Sequence, residues 1–341
     1  MTRRSALTMA ASAAFSAAQQ RSMPVRFGID LFSIRSQGWD AFQYLDYCAK
    51  WKATVVHFSE IRFIGSLEPE HLKKVRAHAE KLAIELELGM RSICPTSKAF
   101  DATQGTAEQQ LLRMLSAAQT AGSKIVRAFL GTSADRAGGA IDQNIESAVK
   151  ALRPLRQRFL DAGVKIAIEN HAGDMQGREL KTLIEEAGKD FVGACLDSGN
   201  PVWALEDPHV TMEHLHPYVL TSHVRDSNVW KSPDGIVVKW SRMGEGNVGI
   251  DEWVRKFAQL CPGKALSLEI IVGGQRTHNI YDRKFWEAFP NTPAHEFARF
   301  LAIAEKGTPA PHVAPPKDQM VAREREDLEA SARWIHQFFA L

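Results

Sequence analysis

Four ionisable side chains each close a run of apolar and small residues: Glu169 ends VKIAIE, Asp197 ends FVGACLD, His223 stands near the end of YVLTSHV and Glu269 follows ALSL. Such runs read as strands buried on both faces, where a terminal charge is costly. Three carboxylates gathered in one place raise one another's pKa values and resist ionising unless a cation stands among them. One divalent metal ion meets that demand. Three oxygen donors and one nitrogen suit Mn²⁺ first, with Mg²⁺, Co²⁺ or Zn²⁺ as alternatives. A cation on a carbonyl oxygen and a neighbouring hydroxyl makes the adjacent C–H acidic, so that Glu169 and Glu269, one on each side of the carbon, can remove a proton and return one. Return to the opposite face is epimerisation. Return to the next carbon interconverts aldose and ketose, and departure of a β-substituent instead is elimination.

This chemistry requires a fold that brings four strand ends together. Strand-like runs VRFGID, ATVVHF, IELELGM, KIVRAFL, VKIAIE, FVGACLD, YVLTSHV and ALSLEII alternate with amphipathic helical stretches. Gly122, Gly163 and Gly188 each follow an alanine and precede a strand, where a left-handed residue ends a helix. Eight strand–helix pairs predict a (β/α)8 TIM barrel over residues 24–306, with its chemistry at the C-terminal ends of the strands. The runner-up, a doubly wound sheet, usually carries a Gly-rich phosphate turn after its first strand, and GIDLFSIRS is not one. Residues 226–249, with Trp230 and Trp240, read as a long loop after the seventh strand. Residues 307–341 read as a Pro-rich linker, GTPAPHVAPPKD, and a charged amphipathic C-terminal helix at about 319–340. This helical extension packs on the barrel or on a second subunit, so a homo-oligomer is among the expected partnerships.

Composition narrows the partners. A chain of 341 residues, 45% hydrophobic and 24% charged, is an ordinary globular chain, and a formal charge of +2 with no basic block argues against nucleic acid as a ligand. A small molecule of mixed polarity fits better. The four cysteines are widely spaced, with no C-x-x-C pair for structural zinc or redox work. Residues 1–20, MTRRSALTMAASAAFSAAQQ, carry paired Arg3 and Arg4, a weakly apolar stretch and an SAA site, the pattern of a twin-arginine-like export signal. It predicts a periplasmic or otherwise exported protein, or a cytoplasmic one if the signal does not function. No later run reaches the ~20 apolar residues of a membrane span.

The order Glu169, Asp197, His223, Glu269, with HVRD and the later GEGNVGID, resembles the xylose isomerase-like barrel superfamily, in particular its sugar phosphate isomerase/epimerase and ketose 3-epimerase branch. The resemblance implies that Glu169, Asp197, His223 and Glu269 bind one divalent metal, and that the two glutamates also act as acid and base. It implies a sugar or sugar derivative as substrate. Gly244 and Gly246 would form the turn into the seventh helix. Family members often have Asp-x-x-His after strand six; this chain has Asp197 and then Asn200, an amide able to bind a substrate hydroxyl but unable to shuttle protons. The loop after His223 also lacks the Asp-x-His of the three-zinc endonuclease relatives.

Around this set, His171 and Arg225 lie two residues beyond Glu169 and His223, and the strand period turns them to the same side as substrate contacts. His57, ending the second strand, and Glu60 could line the mouth, with His57 counted among the substrate contacts, but each reads more as a structural than as a catalytic residue. Trp203, Trp230 and Trp240 offer apolar faces to a sugar ring, or else pack the interior. The predicted function is a metal-dependent sugar isomerase or epimerase working through an enediolate. The alternatives are a lyase cleaving 3-keto-glycosides by β-elimination and a non-catalytic sugar-binding protein.

Overall fold

The structure, a computed structural model, describes residues 26–136, 140–310 and 316–340. The export segment at residues 1–20 lies outside the described residues, as does part of the Pro-rich linker. The strands in chain order are β1 (Arg26–Asp30), β2 (Val55–Phe58), β3 (Glu85–Ser92), β4 (Ile125–Phe129), β5 (Lys165–Glu169), β6 (Val192–Asp197), β7 (Val219–Val224), β8 (Asp226–Ser232), β9 (Gly235–Ser241), β10 (Ala265–Leu268) and β11 (Gln275–His278). Eight of them close a parallel barrel in the order β1-β10-β7-β6-β5-β4-β3-β2, with helices between successive strands. The predicted barrel and its C-terminal helix are both present.

Local chemistry accounts for the helix boundaries. The helix Ala107–Ala121 begins on a reciprocal capping box between Thr106 and Gln109 and ends at Gly122 in the left-handed conformation, φ 78°. Gly163 ends Arg156–Ala162 in the same way, with φ 63°. Gly188 differs from expectation: its φ of 127° is positive, but its ψ of 99° leaves the left-handed helical region.

The main apolar core lies between barrel and helices, where Ile29, Val56, Leu88, Val126, Ile166 and Leu196 meet buried helix residues such as Leu111, Leu152 and Leu180. Alternation sends the intervening strand residues inward. Barrels of this type usually fill that interior with branched apolar side chains. Here Ile125, Ala167 and Cys195 form only a small apolar cluster, and above it the interior turns to Asp30, His57, Glu87, Arg127, Glu169, Asp197, Thr221 and His223, all buried. Contacts cross it directly, as where Thr221 Oγ1 on β7 donates to Glu87 Oε2 on β3 at 2.6 Å.

Residues 226–249 are not a simple loop. β8 and β9 form an antiparallel hairpin whose residues pair from Asp226–Ser241 to Ser232–Gly235, and β11 adds a third strand. The turn Ser232-Pro233-Asp234-Gly235 is the sequence signal for it, since Pro and Gly at these positions set a tight reversal. The Gly-Glu-Gly segment that follows holds a carboxylate. Gly244 and Gly246 donate their N–H groups to Asp226 Oδ2 at 3.1 and 2.8 Å, and a side chain at Gly246 would collide with Asp226.

The helix Met320–Phe339 rests on its own barrel. Ser36 donates its N–H and hydroxyl to Glu324 at 2.9 and 2.8 Å, while Leu328, Ala332 and Ile335 are fully buried. Among the described residues, no helix is long and apolar enough to cross a membrane.

Candidate active site

Parallel pairing places the ends of β5, β6, β7 and β10 side by side, with Glu169 beside Cys195, Asp197 beside His223, and His223 beside Ser267. Ligand atoms of Glu169, Asp197, His223 and Glu269 therefore all lie within 4.8 Å of one another, and all four residues are buried. Nδ1 of His223 sits 3.1 Å from Glu169 Oε2 and 3.3 Å from Glu269 Oε2 without a regular hydrogen bond. An imidazole nitrogen turned toward two carboxylates calls for a cation among them, a proton or a metal. The donors, three carboxylates and one imidazole, fit a divalent ion.

Arginines already share this charge. Arg127, from β4, donates through Nε to Glu169 Oε2 at 2.6 Å and also contacts it through Nη2. Arg225 reaches both Asp197 and Glu269 through Nη2, and its guanidinium lies 4.8 Å from the ring of Trp240. Burial alone would raise the Glu169 carboxyl, but Arg127 and His223 hold it well below the usual carboxylate range. Glu269 is likewise brought down to about 2, chiefly by Arg225 and His223 against the effect of burial. Burial wins at Asp197, pushed up to about 7 despite Arg225. His223 is raised well above the ordinary histidine range because Cys195, Glu269 and Glu169 outweigh its burial.

A supporting layer lies beneath. His223 Nε2 and His57 Nδ1 share a hydrogen bond of 2.9 Å, and His57 Nδ1 is 3.6 Å from Glu87 Oε2. Burial first, then the charge of His223, lowers His57 well below its ordinary value, so His223 acts as the donor in this pair. His57 is fully buried and lies behind His223, away from the cavity lining; its place is to orient that ring, as an outer partner orients a ligand. Asp197 is fixed by the N–H groups of Gly199 and Asn200, each 2.6 Å from Oδ1.

A cavity of about 380 Å³ opens above Glu169 and Glu269, enough for a small ligand. Asn200, His171 and Arg225, expected as substrate contacts, all line it. Asn200 is committed through Nδ2 to Glu169 Oε1 at 2.9 Å, leaving its Oδ1 buried and unpartnered. His171 stacks on Phe129 at 4.1 Å and pairs Nδ1 with the Gly131 carbonyl at 2.8 Å. Trp240 lines the cavity; Trp203 stands against it at 4.5 Å. Glu60 is at the mouth, as expected.

Arg127, Asp30 and Glu87 escaped the sequence reading, although Arg127 and Glu87 are charged residues inside strand runs and Asp30 closes VRFGID, the signals by which they could have been found.

The chain resembles known proteins at several levels. A model of the family described as xylose isomerase-like TIM barrel matches residues 35–286. A curated relative, the 3-oxo-isoapionate decarboxylase of Pectobacterium atrosepticum, is 25% identical over 182 residues, which is 53% of this chain and 59% of the relative's length. Among solved structures, D-psicose 3-epimerase from Clostridium cellulolyticum H10 aligns over 90% of this chain and 98% of its own at 11% identity, with a TM-score of 0.58. The IOLI protein with a bound zinc atom aligns over 82% and 96% at 14% identity, with a TM-score of 0.54. With its closed eight-stranded barrel and a family match over most of its length, this chain belongs to the xylose isomerase-like TIM barrel family.

Proposed function

We propose that this chain moves a proton next to the carbonyl of a keto sugar or sugar derivative, as a metal-dependent isomerase or epimerase. The carrying observation is the pair Glu169 and Glu269, set on β5 and just after β10 and both turned toward His223 Nδ1, at 3.1 and 3.3 Å, on the floor of the cavity. Glu169, Asp197, His223 and Glu269 would hold a divalent cation, whose Lewis acidity lowers the pKa of a C–H beside a bound carbonyl. The D-psicose 3-epimerase and zinc-bound IOLI neighbours share the fold and support this reading.

The chain's own groups do the rest. Arg127 and Asn200 occupy both oxygens of Glu169, fixing its direction and keeping it ionised. Glu269 is restrained by Arg225, which is also in the cavity lining and can release it to a substrate oxygen. One carboxylate takes the proton and the other returns one, so the product depends on which carbon and face receives it. His171, held by Gly131, presents Nε2 to a hydroxyl. Phe32, Phe129 and Trp240 exclude water from the reacting carbon.

A lyase is the second reading, and two observations favour it. Arg35 and Arg91 stand in the same cavity wall, and the curated relative is named a decarboxylase. Loss of CO₂ from a 3-oxo acid leaves an enolate, as does removal of the C2 proton of a 3-keto-glycoside before its C1 substituent departs. The deciding experiment is a substrate panel of free ketoses, 3-keto-glycosides and 3-oxo sugar acids, with chelated protein and protein reloaded with Mn²⁺. Metal-dependent formation of an epimer or isomer supports the first reading; released aglycone or CO₂ supports the second; inertness toward the whole panel sinks both.

A further inference from the structure

A second group of ligand-type side chains lies outside the barrel. Glu206 follows β6, His214 belongs to the helix Pro208–Leu215 and Glu296 to the helix Ala294–Lys306. Each offers an atom within 4.8 Å of the other two. His214 Nε2 and Glu296 Oε1 are 2.9 Å apart. Glu206 is 1% exposed and Glu296 7%. Glu206 spends only Oε2 on its neighbours, accepting from the Gly177 N–H at 2.8 Å and from the Thr211 hydroxyl. Its Oε1 and Glu296 Oε2 are buried without a partner.

Two buried carboxylates this close need a positive charge between them. Among the described residues neither has a lysine or arginine partner, in contrast to Glu179 nearby, which Arg136 holds at 2.6 Å. A proton on Glu206 Oε2 could be shared with the Thr211 hydroxyl, but it would leave Glu206 Oε1 and Glu296 Oε2 buried and unpartnered all the same. Access exists, because the His214 side chain is 27% exposed.

We propose that Glu206, His214 and Glu296 form a second divalent-cation site, independent of the barrel site, with Zn²⁺ the ion that suits two carboxylate oxygens and one imidazole nitrogen, a water completing its coordination. The ion would tie the segment after β6, which also carries Asn200 and Trp203, to the helix Ala294–Lys306. Its role is structural, since none of its ligands lines the cavity above Glu169.

The test loads the chelated full-length protein with Zn²⁺, desalts it and counts metal by mass spectrometry, with crystals examined at the zinc absorption edge. Wild type is expected to hold about two ions per chain, and His214→Asn and His223→Ala about one each. An anomalous peak at Glu206 and Glu296 should vanish in His214→Asn. Because His214 is partly exposed, this variant should keep the fold, checked by circular dichroism. A second reading is thermal: in the His223→Ala background Zn²⁺ should raise Tm, and adding His214→Asn should remove that rise. Equal zinc content in wild type and His214→Asn, or a zinc-edge map without a peak at Glu206, overturns the site.

Discussion

At the barrel rim, Glu169, Asp197 and Glu269 gather around His223 with Arg127 and Arg225 already upon them; outside it, Glu206 and Glu296 meet His214 with, among the described residues, no arginine or lysine on either. Both clusters bury acids beside an imidazole, but they differ in what balances the charge. The rim carries its own counter-ions, so it can form without a metal, and a cation bound there would be free for chemistry. The outer cluster has no such reserve. Metal removal is therefore expected to abolish turnover through the rim and to lower Tm through the outer group.

The largest effect should fall on rate. Glu169→Gln and Glu269→Gln, with metal content measured in each, should lose about 10² to 10⁴ in turnover, the range for a missing general base. Near wild-type rates in metal-loaded variants would remove the rim's claim to chemistry.

Next is the cost of stripping the rim of its counter-ion. Arg127→Met leaves Glu169 buried with its main partner gone, and breaking a buried pair costs roughly 3–5 kcal/mol. Glu206→Gln, which keeps an oxygen for the Gly177 N–H and removes a buried charge, should change the stability of chelated protein far less. Comparable losses in denaturant titration would erase the contrast between the clusters.

The helix Met320–Phe339 supplies a purely apolar standard. Leu328 is fully buried in the main core, so Leu328→Ala should cost about 2–5 kcal/mol whatever the metal content. A loss that depended on chelation would mean that this helix couples to one of the ion sites.

The smallest effect extends the comparison to an imidazole without acids. His278 on β11 is buried, with Nε2 on the Val202 carbonyl at 3.1 Å, and burial lowers its pKa from 6.5 to about 3. The unfolded chain binds the proton more readily, so this contribution to stability is complete above pH 6.5 and is lost as pH falls toward 3. His278→Gln should flatten the decline of Tm between pH 6.5 and 5. An unchanged slope would show that burial does not keep His278 neutral.

Much of this arrangement was legible in the chain. Strand ends were visible because apolar runs stop abruptly at Glu169 and Asp197, and barrel closure then brings such ends together whatever lies between them. The hairpin β8–β9 was missed although Ser232-Pro233-Asp234-Gly235 announces its turn, because its alternation is blurred by Lys231 and Lys239. Arg127 was missed for a deeper reason. One strand read alone does not tell which of its faces looks into the barrel, and only the pairing of β4 with β5 puts this arginine against Glu169. His57 shows the same limit: its position at a strand end was legible, but its depth behind His223 follows from side chains meeting across the interior.

The central claim is that Glu169 and Glu269 exchange a proton with carbon beside a carbonyl. Its most direct test follows solvent deuterium, by NMR or mass spectrometry, in the sugar that the metal-loaded protein turns over in D₂O, stopped at partial conversion. Deuterium next to the carbonyl in product or remaining substrate, with a fall of at least about 10² in its appearance for Glu169→Gln and Glu269→Gln, is the predicted result. Product that carries no solvent deuterium, formed at an undiminished rate by both metal-loaded variants, would contradict it.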